Sequence, residues 1–273
     1  MRSRSYRALQ VPRDTILQGI LLRARETAVS GLNANPDRSG ADAAGRRGPA
    51  WLAGLALFAI GVSLVLAATQ ELGFSRSVTR GLVERYAAKF GLESRSRISG
   101  WQAFVRSAVS ERRQDSASEL DLLGPVNTFF NRLPFVTDLA HWSVEDYWAS
   151  PAESIASNGA DCEDFSIAKY FALKELGVPV ARLRITYVKA TRINQAHMVL
   201  AYYATPGAVP LLLDNLENDV RPASERPDLI PVYSFNDEDL VLVRQGQASS
   251  AGHPSEIRLW RGLLDKLESE LTY

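Results

Sequence analysis

The chain predicts an α+β domain, with helices packed on an antiparallel sheet. Three observations carry this. Apolar residues recur with helical spacing from Val78 to Leu176. After Pro179 the pattern turns into short apolar or alternating runs that suit strands. The connections between those runs are too short for helical crossovers, so neighbouring strands must run antiparallel.

The elements follow in order. Val78–Phe90 places Leu82, Val83, Tyr86 and Phe90 at helical spacing and stops at Gly91. Ile98–Arg113 is a second helix, with Trp101, Phe104, Val105 and Ala108 on one face. Leu120–Leu133 is a third, closed by Pro134. Ser150-Pro151-Ala152-Glu153 is a capping box with proline at the first helical position, and Asn158-Gly159 ends that short helix. A new helix opens at Asp161, buries Phe165, Ala168, Phe171, Ala172 and Leu176, and ends at Gly177. Arg182–Lys189 alternates as a strand. Met198–Ala204 and Pro210–Leu216 form a hairpin across Thr205-Pro206-Gly207. Leu229–Phe235 and Leu240–Val243 are shorter strands, and Ile257–Leu271 is a terminal amphipathic helix.

Composition narrows the function. The chain has 273 residues, 46% of them apolar, and zero formal net charge. Before Pro49 it carries nine arginines against four acids, whereas the part from Gln70 onward holds 22 basic and 27 acidic residues. That body has no basic stripe, so it is not expected to bind nucleic acid. Residues 1–49 form a basic leader of disordered composition, with a short amphipathic stretch at Ile16–Leu22, and a start site downstream of it is the other reading. Ala50–Thr69 is uncharged and long enough to span a bilayer, and the arginines before it place the N-terminus inside. Val65-Leu66-Ala67-Ala68 also suits signal cleavage. Anchor or signal, the body at 70–273 is expected to be exported.

Cys162 is the single cysteine, so it has no internal disulfide partner. It sits in Asp161-Cys162-Glu163-Asp164, at the first turn of a helix, where the helix dipole favours a thiolate. His197 and Asp214 follow, 35 and then 17 residues on, at the same end of the expected hairpin. This order reads as a nucleophile, a base and an orienting carboxylate. A lone cysteine is also a common small core residue, and Asp214-Asn215 is a good turn pair by itself. His141 precedes the cysteine and His253 lies in a loop, which makes both weaker candidates for the base. Trp148 is a candidate wall of the cleft.

The acids beside Cys162 create a conflict. Asp161, Glu163 and Asp164 suit a helix N-terminus, yet three carboxylates beside a sulfur oppose its ionisation. Either they cap the dipole, or they bind a hard cation such as Ca²⁺ through oxygen. Zinc would need more Cys and His ligands.

On these residues the chain resembles the bacterial transglutaminase-like cysteine proteinases, the LapG-type periplasmic proteases. The resemblance runs from about Val78 to Asn236. Its most specific parts are Trp148 with Ser150–Glu153, Asn158–Phe165, His197-Met198-Val199-Leu200, Leu213-Asp214-Asn215-Leu216 and Pro231–Asn236. It implies a papain-like, transglutaminase-type core with Cys162, His197 and Asp214 as triad. It implies a Ca²⁺ site with Asp161 and Glu163 among its ligands, extended here to Asp164. It also implies that the substrate is the N-terminal region of a large surface adhesin, cut to control biofilm attachment, and that an inner-membrane cyclic di-GMP receptor sequesters the enzyme. Two other classes share the features: a transglutaminase-like acyltransferase or cell-wall amidase, and a non-catalytic binding module.

Overall fold

The structure, a computed structural model, describes residues 78–113, 118–244 and 247–272. The leader and the Ala50–Thr69 segment lie outside the described residues. Helices α1 (Arg80–Phe90), α2 (Glu93–Arg113), α3 (Glu119–Phe130), α4 (Asp138–His141), α5 (Pro151–Ser157) and α6 (Cys162–Glu175) come first. Strands β1 (Leu183–Ala190), β2 (Gln195–Tyr202), β3 (Leu211–Leu213), β4 (Arg221–Pro222), β5 (Leu229–Phe235), β6 (Leu240–Arg244) and β7 (Gln247–Gly252) follow, and α7 (Arg258–Leu271) closes the domain. The strands form one sheet in the order β4-β3-β2-β1-β5-β6-β7, every neighbouring pair antiparallel. This is the α+β architecture expected. Among the described residues no helix is long and apolar enough to cross a membrane.

Local chemistry explains most boundaries. Thr79 caps α1 by accepting from the Leu82 N–H at 3.1 Å. Glu93 begins α2 five residues earlier than the apolar pattern suggested, because Arg95, Ser96 and Arg97 are polar and the buried Ser94 enters by donating to the Gly91 carbonyl at 2.8 Å. The capping box at Ser150 forms: its hydroxyl accepts from the Glu153 N–H at 3.1 Å, and Glu153 accepts from the Ser150 N–H at 3.3 Å. Asn158 takes the left-handed conformation at the end of α5 (φ 60°). Strand β2 begins at Gln195, so His197 is its third residue rather than the residue just before it. The short elements α4 and β4 and the edge strand β7 had no apolar periodicity to announce them.

The centre of the sheet is buried on both faces. Ile185 pairs with Leu200 and Phe235, and Leu200 pairs with Leu213, making one apolar row across four strands. Val188, Ala190, Val199, Ala201, Leu212 and Leu229 form the cluster on the other face. This explains the unbroken run Met198–Tyr202, since a strand covered on both sides has no solvent-facing positions. Between α2 and α3, Trp101, Phe104, Phe129 and Phe130 pack as an aromatic cluster.

The terminal helix is tied in by buried polar contacts. Ser150 Oγ donates to Glu270 Oε1 at 2.6 Å, Tyr86 donates to the same oxygen, and Lys266 Nζ meets Glu153 Oε2 at 2.6 Å. Ser150 therefore serves two elements. Ser150→Ala should destabilise the domain by about 1–3 kcal/mol, the loss of a cap together with a hydrogen bond to a buried carboxylate. Urea denaturation of the variant against the parent measures it.

Candidate active site

The site is built on the N-terminus of α6. The loop before it is pinned from the side: Val136 N donates to Ala160 O at 2.9 Å, and Ala160 N to Pro134 O at 3.2 Å. A side chain at Gly159 would place its Cβ 2.7 Å from Cε1 of His141, so only glycine lets the loop lie this close to α4. The same packing brings Asp138, at the start of α4, over the first turn of α6.

Cys162 is the first residue of α6 and stays partly exposed. The N–H groups of that turn have no intrahelical acceptor and point at the site. The sulfur donates to Glu163 Oε2 at 2.9 Å. It also receives the backbone N–H of Met198, the residue after His197. The cysteine helix and the histidine strand thus meet at the sulfur. His197 Nε2 lies 2.7 Å from Asp214 Oδ1, and both side chains are buried. An ionised Asp214 can only accept, so Nε2–H donates to it and Nδ1 is the ring nitrogen this bond does not use. Asp214 directly follows β3, whose Leu213 pairs with Leu200. The hairpin thereby sets His197 and Asp214 at one end of the sheet, as the sequence suggested.

Asp214 is strongly acidic. Burial alone would raise its pKa, but the hydrogen bond and charge of His197, the Leu216 N–H at 3.0 Å and Arg226 hold it at about 2. Its backbone carbonyl accepts from Asn131 Nδ2 at 2.9 Å, which fixes the loop to α3.

The acids separate into two roles. Asp138, Asp161 and Glu163 bring carboxylate oxygens within 4.8 Å of one another, a group able to hold a metal ion. Asp164 turns inward instead. It accepts from the Ala149 N–H at 2.7 Å and from the Asp161 N–H, so it is the acid that caps α6. Asp161, at the N-cap position, makes no side-chain cap bond. Asp138, which carried no distinguishing sequence signal, takes the place beside Asp161 and Glu163 that the sequence reading gave to Asp164.

The three clustered carboxylates fit a hard cation. All donors are oxygen, and Asp138 Oδ1 and Asp161 Oδ1 are buried without a hydrogen-bond partner. Burial and the neighbouring Glu163 push Asp138 up to about 7 and Asp161 much further. Burial, then Glu163 and Asp161, also push the Cys162 thiol well above its ordinary range. Asp146 stands close by, raised to about 6 by burial and Glu163, and bonded by the side chain of Trp148. Trp148 is 4% exposed and stacks on Phe235, with ring centroids 5.9 Å apart. It is therefore core beneath the site rather than an open wall of the cleft: its large ring finds a partner on β5.

Lys169, two turns along α6 from Cys162, is wholly buried, and its Nζ has no hydrogen-bond partner. Its charge falls on the apolar face of the helix, four residues after Phe165, a position where the sequence pattern should have drawn attention. Burial lowers its pKa to about 7 against the pull of Asp214.

A cysteine at a helix head and a buried His197–Asp214 pair sit on a helix-and-sheet frame of the transglutaminase type. Residues 102–228 match the family described as bacterial transglutaminase-like cysteine proteinase. Among solved structures, Legionella pneumophila LapG in its EGTA-treated form is 39% identical, over 68% of this chain and 97% of that one, with a TM-score of 0.57. Its calcium-bound form gives the same identity, coverage and TM-score. No curated protein matches. The chain belongs to the bacterial transglutaminase-like cysteine proteinases.

The lysine yields a pH test. From about pH 7 to the unfolded value near 10.5, the folded lysine is neutral while the unfolded one stays protonated, so stability rises with pH across that window. Lys169→Met should remove the slope and be the more stable protein at about pH 6, because a neutral chain of similar length takes the place of an unpaired buried ammonium. Urea titrations at about pH 6 and pH 9 decide it.

Proposed function

We propose that the protein is an exported, calcium-dependent cysteine endopeptidase that cuts the N-terminal region of a large surface adhesin. The observation that carries the reading is the buried His197–Asp214 hydrogen bond of 2.7 Å, with the N–H of the next residue, Met198, on the Cys162 sulfur at the head of α6. Nδ1 of His197 takes the thiol proton, and the thiolate attacks the scissile carbonyl to form a tetrahedral oxyanion. The backbone N–H of Cys162 would supply one donor to that oxygen. The imidazolium then gives its proton to the leaving amine, and water, activated by the same nitrogen, hydrolyses the thioester. Asp214 keeps the ring oriented throughout.

Asp138, Asp161 and Glu163 would hold the calcium ion. When bound, it supplies positive charge that offsets the carboxylates and so favours the thiolate. Support comes from the unsatisfied buried oxygens of Asp138 and Asp161 and from the calcium-bound form of the similar LapG. The periplasm, the adhesin substrate and an inner-membrane cyclic di-GMP receptor as regulator follow from the family resemblance and from the apolar segment before the domain.

Cys162→Ala should abolish cleavage of a co-expressed adhesin fragment while leaving the circular dichroism spectrum unchanged. Continued cleavage by that variant rejects the assignment. Calcium at about a hundred times its Kd should stabilise the fold by about 2.7 kcal/mol. Chelation or Glu163→Ala should remove that gain together with activity, as thermal melts and peptide assays will show.

A further inference from the structure

Arg226 is buried to 5% exposure at the end of a short 3₁₀ turn before β5. Its Nη1 lies 2.9 Å from Asp214 Oδ2, the carboxylate oxygen that His197 does not use. No aligned hydrogen bond satisfies that buried oxygen, so the guanidinium charge is what balances it. The other side of the fork grips Asp228: Nε to Oδ1 and Nη2 to Oδ2, both 3.1 Å. The Asp228 carbonyl in turn accepts from Thr191 N at 2.8 Å and Thr191 Oγ1 at 3.1 Å. Thr191 begins the turn between β1 and β2 and so belongs to the hairpin that presents His197. One side chain therefore links the loop holding Asp214 to the hairpin holding His197.

We propose that Arg226 is a positioning residue for the triad, aiming Asp214 so that Oδ1 receives Nε2–H of His197 and leaves Nδ1 turned to the sulfur. The proposal rests on reading His197 as the base of a peptidase. The titratable and charged groups facing Asp214 are His197 from β2, Arg226 from the segment before β5 and Lys169 from α6. Lys169 has no hydrogen-bond partner. Arg226 alone offers a planar fork that spans two carboxylates at once, and lysine has one point of charge to offer in its place. Asp228 is held ionised by that fork.

The test uses the full chain with Arg226→Lys and Arg226→Gln. The protein has three histidines, so the ring nitrogens of His197 are assignable by nitrogen NMR against a His197→Gln control. The parent should show one tautomer, protonated at Nε2. Arg226→Gln should show a mixture, and Arg226→Lys should restore part of the single form. In peptide cleavage, Arg226→Lys should lower kcat by about tenfold to a hundredfold with KM unchanged, the signature of a misaimed group. If Arg226→Gln does not fold, Arg226→Lys decides alone. A folded variant with the parental tautomer and kcat overturns the proposal and leaves Arg226 as a clamp of the loops. A parent that cleaves nothing defeats the peptidase reading instead, while the tautomer experiment still judges whether Arg226 orients the pair.

Discussion

Repulsion among carboxylates around one sulfur is the constraint on which the site depends. Asp138, Asp161 and Glu163 converge on the first turn of α6 together with Cys162. In water, acids at a helix N-terminus are a modest benefit. Here they are half-buried or buried, and each raises the cost of ionising the next. The Cys162 thiol donates to Glu163, and burial together with Glu163 and Asp161 pushes its pKa well up. Under the proposed function, a dication at these carboxylates would offset their charge and favour the thiolate.

The scaffold holds that arrangement from three directions. The bridge between Phe135 and Ala160 fixes the loop leading into α6 and carries Asp138 into place. The antiparallel pairing of β2 with β3 brings His197 and Asp214 to one end of the sheet. The terminal helix reaches back through Lys266 and Glu270 to Trp148, Glu153 and Ser150, beneath the segment on which Asp164 caps α6. Two neighbouring acids in one motif thus do different work. Asp164 satisfies backbone N–H groups, and Glu163 meets the sulfur and the acidic cluster.

Much of this was legible in the chain because local rules and long-range packing agree there. The Ser150–Glu153 capping box, the Asn158 stop and the start of α6 are set by hydrogen bonds within a few residues. The strands Leu183–Ala190 and Leu229–Phe235 announce themselves by alternation or apolar content. Lys169 was visible but unread: a lysine on the apolar face of a helix is a buried charge before any coordinates are known. Arg226 and Asp146 were not visible, since each looks like an ordinary polar residue of a loop.

The sequence by itself singled out Cys162, His197 and Asp214, because a cysteine at a helix start, a histidine on one strand and an aspartate just after its neighbour follow from short-range pattern and strand pairing. Only the tertiary structure decided which acids gather about the sulfur. Asp138 reaches Asp161 and Glu163 through the close approach of α4 to Gly159, while Asp164 is drawn inward by the N–H of Ala149. Those contacts join segments far apart along the chain, where no periodicity records them, and the cost of leaving buried N–H groups and carboxylates unsatisfied selects the arrangement once the chain has folded.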